Sequence, residues 1–276
     1  MLAKENYTKE NIQRLRDISG NDPSLLEKTV YAFGLLEAIA KVGMPFIFKG
    51  GTCLMLLLDK PRRLSTDIDI IVEPGTNVDM FIEKAGQLFP FVNQQEDIRK
   101  GKNKFGEDKE LEIIKQLFDC YTLSEEMKDY KKVVEVYNKI ALVELNYRGM
   151  SCEVKDVLKD TIKSCLCIIS KGGIIKSEYN YYIDGIRRIA GHIYNENFNG
   201  EKASFIACKV LYLVSCIYTE SDYIIIKDWD TFKNKKLSFK GARSVNYIKK
   251  VNMESYAYLC STINLLGDEI EEIVEC

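Results

Sequence analysis

Residues 46–71 read Phe-Ile-Phe-Lys-Gly-Gly-Thr-Cys-Leu-Met-Leu-Leu-Leu-Asp-Lys-Pro-Arg-Arg-Leu-Ser-Thr-Asp-Ile-Asp-Ile-Ile, and three local patterns follow one another in this stretch. The apolar residues 46–48 predict a buried strand, and the apolar run after the glycine pair predicts a helix. Asp67 and Asp69 then alternate with isoleucines, which predicts a second strand with both carboxylates on one face. The predicted order is therefore strand, Gly-Gly turn, helix and acidic strand.

The glycine pair Gly50-Gly51 stands where the first strand passes into the helix. Glycine lets the backbone approach a ligand closely, and the first turn of a helix offers N–H groups to phosphate oxygens. We therefore expect a triphosphate to bind here, with Lys49 beside it and the Thr52 hydroxyl as a further donor. By itself, however, a Gly-Gly pair at this point is also typical of a simple turn.

The two aspartates that follow the glycine turn form a candidate metal-binding pair. Two carboxylates on one strand face repel each other in an apolar setting, and a divalent cation relieves that repulsion. Asp67 and Asp69 are therefore candidate catalytic residues and candidate ligands for Mg²⁺ (or Mn²⁺). Arg63 is a candidate partner for phosphate, and Ser65 either contributes to nucleotide binding or caps the turn. An Asp-x-Asp pair can also be a solvated strand end, but its combination with the glycine pair favours a metal–nucleotide site.

The run Phe-Lys-Gly-Gly-Thr at 48–52 and the run Arg-Leu-Ser-Thr-Asp-Ile-Asp at 63–69 resemble the AbiEii-type nucleotidyltransferases. These are the toxins of type IV toxin–antitoxin and abortive-infection systems. The resemblance implies transfer of a nucleotidyl group from a nucleoside triphosphate, and a cognate antitoxin as partner. It also implies an α+β fold. In that fold, a nucleotidyltransferase domain like that of DNA polymerase beta, with a mixed sheet flanked by helices, precedes a helical bundle domain.

Residues 139–148 alternate apolar and polar side chains, which predicts a half-buried strand. Members of the AbiEii family similarly show a strand of the form Ile-Glu-Ile-x-Tyr-Arg here. Glu144 is therefore a candidate third carboxylate, since a two-metal site needs an additional oxygen ligand. The equal alternative is an ordinary glutamate on the outer face of the strand.

Two later segments also resemble motifs of the family. The helical run 205–213 resembles a helix with Ala-x-Lys, which makes Lys209 a candidate catalytic residue with phosphate as its anionic partner. A surface lysine that extends its amine to solvent is the alternative. The run 227–230 is the nearest match to a late acidic motif, so Asp228 and Asp230 are candidate catalytic carboxylates, with a helix cap as the alternative.

Composition sets the broader limits. The 276 residues are 46% hydrophobic and 29% charged, and we expect two domains, with the nucleotidyltransferase at 1–178 and the helical bundle at 179–276. The net charge of -2 argues against a globally basic nucleic-acid binder. The chain begins without a signal-peptide pattern and has no apolar run of membrane length, which predicts a cytoplasmic protein without membrane contact. Residues 96–115 are dense in charges of both signs and predict a solvated loop or helix.

A basic segment at residues 231–253 contains seven lysines and arginines, no acidic residue, and interleaved aromatic side chains. This pattern is typical of binding to an RNA backbone with stacked bases, and equally of a solvated helix face. The candidate acceptor-binding residues are Lys235, Lys236, Lys240 and Arg243. For a toxin-type enzyme of the family that the chain resembles, we expect the acceptor to be RNA of the tRNA type. The alternatives are a protein or small-molecule hydroxyl as acceptor, and a non-catalytic module that binds a nucleotide or a partner.

Overall fold

The computed structural model of the chain describes residues 2–92 and 109–275. The chain divides into two compact units. The first comprises Met1–Asp108 and Arg188–Asn197, and the second comprises Lys109–Arg187 and Phe198–Cys276. The domain boundary predicted after residue 178 stays a prediction. It does not coincide with this division, because helices on both sides of it pack together in the second unit.

Helices form most of the first unit. Its described elements are a 3₁₀ turn at Lys4–Tyr7, α1 (Lys9–Ser19), α2 (Pro23–Lys41), β1 (Ile47–Lys49), α3 (Gly50–Leu57), β2 (Asp69–Ile71) and α4 (Val78–Ala85). Helix α2 begins where a cap followed by proline predicts it, because the Asp22 carboxylate accepts the N–H groups of Ser24 and Leu25. The Asn77 side chain caps α4 in the same way.

Strands β1 and β2 pair antiparallel, with Lys49 opposite Asp69. Ile68 and Ile70 pack against a buried cluster that includes Ile39, whereas Asp67 and Asp69 are exposed. The predicted alternation of carboxylates and isoleucines is therefore confirmed, but β2 begins at Asp69, so Asp67 precedes the strand that was predicted to carry both carboxylates. The first strand is not buried as predicted, because Ile47 is exposed. In the described residues the sheet consists of these two strands, so the predicted mixed sheet is not observed there.

The second unit is helical, as predicted for the later part of the chain. It contains α5 (Lys109–Glu126), α6 (Tyr130–Arg148), α7 (Val154–Ile169), most of α8 (Lys176–Ile189), α9 (Gly200–Tyr218), α10 (Ile248–Val251), α11 (Met253–Leu266) and α12 (Glu269–Glu275), with 3₁₀ turns at Trp229–Phe232 and Ala242–Ser244. Helix α9 packs against α5, α7 and α11, and its residues from Ile206 to Tyr218 are all buried. Each large apolar side chain that is fully buried contributes about 1.5–3 kcal/mol, so α9 is the centre of this core.

Residues 139–148 form the second half of α6, so the strand predicted there is wrong. The helix is stabilised at its start by the Asp129 side chain, which accepts a backbone N–H, and it ends at Gly149 with a φ of +65°. Glu135 and Lys139 form an ion pair of 2.7 Å one turn apart. These local interactions outweigh the strand-like alternation of the sequence.

Within the described ranges, none of the helices has the length and apolar character needed to cross a membrane. Of the charged segment predicted at 96–115, residues 96–108 lie outside the described part of the chain. The remaining residues, 109–115, belong to α5.

Candidate functional site

Gly50 connects β1 to α3, and its backbone lies directly against the Asp69 carboxylate. Its φ of +78° is in the left-handed region, which favours glycine. A Cβ built at this position would overlap Asp69 Oδ2 and lie 2.8 Å from Asp69 Cγ. The antiparallel register produces the close approach, because it sets Lys49 opposite Asp69. Glycine is therefore required at position 50 by both the backbone conformation and the neighbouring carboxylate.

Gly51, the second residue of α3, makes room for the Arg63 guanidinium. A Cβ at Gly51 would lie 2.5 Å from Arg63 Nη2. Arg63 is only 7% exposed, and its Nη1 donates to the backbone oxygen of Leu64 at 3.1 Å. A buried cation thus lies at the first turn of α3. Both the guanidinium and the helix N-terminus favour an anion in this position.

Thr52 and Ser65 both bond to Asp67. The Thr52 hydroxyl is buried and donates to the Asp67 backbone carbonyl, so the hydroxyl expected to reach a nucleotide is already engaged within the protein. The Ser65 hydroxyl donates to Asp67 Oδ1 at 3.3 Å. One residue therefore holds the backbone of Asp67, and the other orients its carboxylate.

The exposed pair Asp67 and Asp69 fits a hard divalent cation by the chemistry of its donors. Mg²⁺ prefers oxygen ligands and is commonly held by one or two carboxylates together with substrate phosphates. Within the described ranges, no group of three or more His, Cys, Asp or Glu residues could hold a metal ion. The fit therefore rests on the two aspartates, with phosphate oxygens as the further ligands.

A segment that sequence reasoning missed also belongs to this region. Residues 192–194 pair with residues 62–64 through an isolated antiparallel bridge between Arg63 and Ile193. No local pattern in the sequence indicates this pairing, because the two segments are far apart in the sequence and each is too short for a periodic signal.

Glu144, the candidate third carboxylate, lies on α6 in the second unit. It pairs with Arg148 at 3.5 Å, one turn later on the same helix. The strand from which it was expected to project is a helix, so the prediction about its surroundings is wrong. Its role as a metal ligand stays a prediction.

Lys209 has protein carboxylates where the sequence suggested phosphate. It is buried on α9, and its Nζ bonds Glu254 Oε1 at 2.7 Å and Glu125 Oε1 at 2.9 Å. The rings of Tyr121 and Tyr258 lie 5.6 and 5.5 Å from the same nitrogen. Burial by itself lowers the pKa of Lys209, but the hydrogen bonds to the two carboxylates outweigh it and raise the pKa above its usual value. The cation thus connects α9 to α5 and α11.

Asp228 and Asp230 lie at the 3₁₀ turn Trp229–Phe232 and are exposed. The Asp228 side chain makes no capping bond, and its backbone carbonyl accepts the Thr231 hydroxyl at 2.9 Å. Asp230 pairs with Lys233 at 2.9 Å. The catalytic role suggested for either aspartate stays a prediction.

The four acceptor-binding candidates are all exposed, but their surroundings differ. Lys240 pairs with Glu275 at 2.7 Å, and this contact raises the pKa of Lys240. The Lys235 ammonium lies 4.6 Å from the centre of the Phe232 ring. The charge of Lys240 is therefore partly offset, and Lys235, Lys236 and Arg243 are the stronger candidates for binding an anionic backbone.

A groove of about 920 Å³ lies between α6 and α7 in the second unit. Its lining is mainly apolar and includes Val136 and Ile140. Two acids of its lining already have local partners, because Asp129 and Asp156 each accept a backbone N–H at the start of a helix. A triphosphate needs converging N–H groups and cations. The region around Gly50, Gly51 and Arg63 meets this requirement better than the groove.

The family comparison agrees with the motif region. Residues 35–154 match the family model described as nucleotidyl transferase AbiEii toxin, type IV TA system. No curated protein and no solved structure matches the chain significantly. The match covers both strands, the glycine pair, Arg63 and the two aspartates, whereas Lys209 and the basic segment lie beyond it. Residues 35–154 of this chain are thus similar to the AbiEii family of nucleotidyl transferase toxins.

Proposed function

We propose that the chain transfers a nucleotidyl group from a nucleoside triphosphate to an acceptor hydroxyl, with Asp67 and Asp69 as ligands of Mg²⁺ or Mn²⁺. The packing of the glycine pair carries this proposal. Gly50 lies against the Asp69 carboxylate, and Gly51 lies against the Arg63 guanidinium. One short turn therefore brings together a metal-binding carboxylate, a cation and the N–H groups of a helix start, which are the groups that a metal–triphosphate complex requires.

The chain's own groups would bind and orient the nucleotide. The backbone N–H groups at the start of α3 bind phosphate oxygens, and Arg63 neutralises their charge. Lys49, which is exposed at the end of β1, adds a second positive charge. Thr52 and Ser65 act through Asp67, whose backbone and carboxylate they hold.

The reaction forms a bond from the acceptor oxygen to the α-phosphorus and breaks the bond from that phosphorus to the bridging oxygen. Pyrophosphate leaves with the electrons of the broken bond, and the hydroxyl proton passes to solvent. A bound divalent ion supplies neutralisation of the phosphate charge and polarisation of the attacking hydroxyl. The order of strand, glycine turn, helix and acidic strand supports a fold of the DNA polymerase beta type for this part of the chain.

RNA is the acceptor that we propose. The support is the exposed group Lys235, Lys236 and Arg243, which belongs to a segment without acidic residues. The family also implies a cognate antitoxin as partner.

Lys209 is assigned a structural role in this proposal. The two carboxylates that bind its amine favour a structural role over a catalytic one.

Labelled nucleotides test the proposal. The protein is incubated with Mg²⁺, total RNA and each triphosphate labelled in turn at the α- or the γ-phosphate. Nucleotidyl transfer attaches the α label to the acceptor and releases the γ label as pyrophosphate. Transfer of the γ label would indicate a phosphoryl transferase instead. Tight triphosphate binding without transfer to RNA, protein or small molecules would favour the non-catalytic module.

A further inference from the structure

The backbone on both sides of Arg63 is held by residues 192–194, which are distant in sequence. Two backbone hydrogen bonds of 2.7 and 3.0 Å join the segments, from Leu64 N–H to His192 O and from Tyr194 N–H to Arg62 O. Arg63 itself forms the bridge with Ile193. Because these bonds fix the chain immediately before and after Arg63, they determine where its guanidinium lies relative to Gly51.

Asn21 in turn holds the segment that holds Arg63. Its side-chain amide donates to the backbone oxygens of Gly191 and Ile193, both at 3.0 Å. Since both partners are carbonyl oxygens, only the amide nitrogen can face them, and the orientation of the side chain is fixed. Asn21 is 7% exposed, so the two bonds are shielded from water.

The remaining polar atom of the same side chain makes Asn21 an unfavourable choice for simple core packing. Its Oδ1 is buried and, in the described part of the chain, has no hydrogen-bond donor. A buried acceptor without a donor is destabilising. The two amide bonds to residues 191 and 193 therefore explain an asparagine at this position better than packing does.

We propose that Asn21 is a positioning residue of the nucleotide site, which acts through residues 191–194 to keep Arg63 against Gly51. This inference rests on the proposed function, because it requires that Arg63 binds the triphosphate. Asn21 does not contact the triphosphate in this account. Asn21 contributes by fixing the position of Arg63 on one side of the proposed phosphate-binding site.

A double-mutant cycle on the full chain tests this inference. The affinity for a non-hydrolysable triphosphate analogue with Mg²⁺ is measured by calorimetry for Asn21→Leu, for Arg63→Ala and for the double variant. We expect Asn21→Leu to weaken binding about tenfold, as the loss of hydrogen bonds that hold a cation in place predicts. If Asn21 acts through Arg63, the double variant binds no more weakly than Arg63→Ala alone. Additive losses would overturn the inference.

Asn77→Leu is the matched control. The Asn77 side chain also hydrogen-bonds to backbone in the first unit, but it accepts the N–H of Met80 and so caps the start of α4. Asn77→Leu should lower the melting temperature without changing the affinity for the analogue. A loss of affinity in Asn77→Leu equal to that in Asn21→Leu would overturn the inference.

If Asn21→Leu does not fold, Asn21→Gln replaces it in the cycle with the same expectation, because the longer glutamine side chain displaces the amide. If Arg63→Ala leaves affinity unchanged, both the inference and the assignment of Arg63 to the nucleotide fail. If Arg63→Ala weakens binding and Asn21 shows no coupling, only the inference fails.

Discussion

At the scale of single residues, Gly43 and Gly50 illustrate two different reasons why a position requires glycine: backbone conformation and the space taken by a neighbouring group. Both have a positive φ, +75° and +78°. A Cβ at Gly43 would meet no atom within 4 Å, whereas a Cβ at Gly50 would displace the Asp69 carboxylate. Gly43 is therefore required by conformation alone, and Gly50 by conformation and by the site.

The two glycines give the first prediction. Gly43→Ala should destabilise the fold by about 1–2 kcal/mol, the strain of a left-handed alanine, and leave triphosphate affinity unchanged. Gly50→Ala should cause the same strain and should also displace the Asp69 carboxylate. The Gly50→Ala variant should therefore bind the metal–triphosphate more weakly. Urea denaturation and calorimetry measure the two effects. Equal nucleotide affinities in the two variants would contradict the role of Gly50.

Gly51→Ala gives the second prediction, because Gly51 lies in a helix where alanine is intrinsically favoured. The new methyl group would force the Arg63 guanidinium to move. We expect nearly unchanged thermal stability and triphosphate affinity reduced about tenfold or more, as loss of a charge-assisted hydrogen bond predicts. Wild-type affinity in a folded Gly51→Ala protein would place the phosphates elsewhere.

The sequence was informative about this site where the chemistry is local. Gly50, Gly51, Asp67 and Asp69 follow each other in a pattern that a strand and a helix start explain. The sequence predicts that the Thr52 hydroxyl reaches the nucleotide, because it does not reveal that the Asp67 backbone carbonyl accepts this hydroxyl. The pairing of residues 62–64 with 192–194 could not be predicted either, since it depends on the path of the whole chain.

At the scale of elements, α6 shows why a periodic pattern can mislead. The alternation in residues 139–148 predicted a strand, yet the segment continues a helix that begins at a good cap and ends at Gly149. The local signals for the helix, Asp129 and the pair Glu135 and Lys139, were present in the sequence. Alternation over a short window and resemblance to the family's strand favour a strand, but they do not reflect the helix cap and the ion pair that stabilise α6.

The third prediction concerns Lys209, which joins α9 to α5 and α11. Lys209→Met should destabilise the protein by about 2–3 kcal/mol, less than for a fully buried pair because Glu125 and Glu254 are partly in water. The pKa of Lys209 is higher in the folded protein than in the unfolded chain, where it is near 10.5. The contribution of Lys209 to the free energy of unfolding is therefore fully present below about pH 10.5 and is lost as the pH rises further.

Urea denaturation of the wild type and of Lys209→Met between pH 8 and pH 11 checks this prediction. The difference in the free energy of unfolding should be constant at first and shrink above about pH 10.5. A difference that stays constant over this range would contradict the ion-pair explanation. Retained nucleotidyl transfer in a folded Lys209→Met protein would support the structural role.

At the scale of the whole molecule, the chain returns to its first unit after half of the second unit has been formed. Helix α8 begins in the second unit and ends in the first, and the segment of residues 188–197 contains Ile193, which pairs with Arg63. The proposed nucleotide site therefore depends on residues late in the sequence. We expect that truncation of the chain before residue 188 leaves the motif residues present but weakens triphosphate binding.

The fourth prediction tests RNA as the acceptor. Replacement of Lys235, Lys236 and Arg243 by glutamine should weaken RNA binding and flatten its dependence on salt, since each phosphate contact releases counterions. Lys240→Gln is the control, because Glu275 already offsets that charge, and its effect should be smaller. Unchanged affinity and salt dependence in the triple variant would favour a protein or small-molecule acceptor.

The central claim is that Asp67 and Asp69 hold the metal for nucleotidyl transfer, and Asp69→Asn tests it most directly. The matched control is Asp59→Asn, which removes the same charge from an exposed position after α3. With α-labelled triphosphates, Mg²⁺ and acceptor, Asp69→Asn should lose more than about 100-fold in transfer while circular dichroism is unchanged, and Asp59→Asn should keep the wild-type rate. Transfer at the wild-type rate in Asp69→Asn would contradict the account.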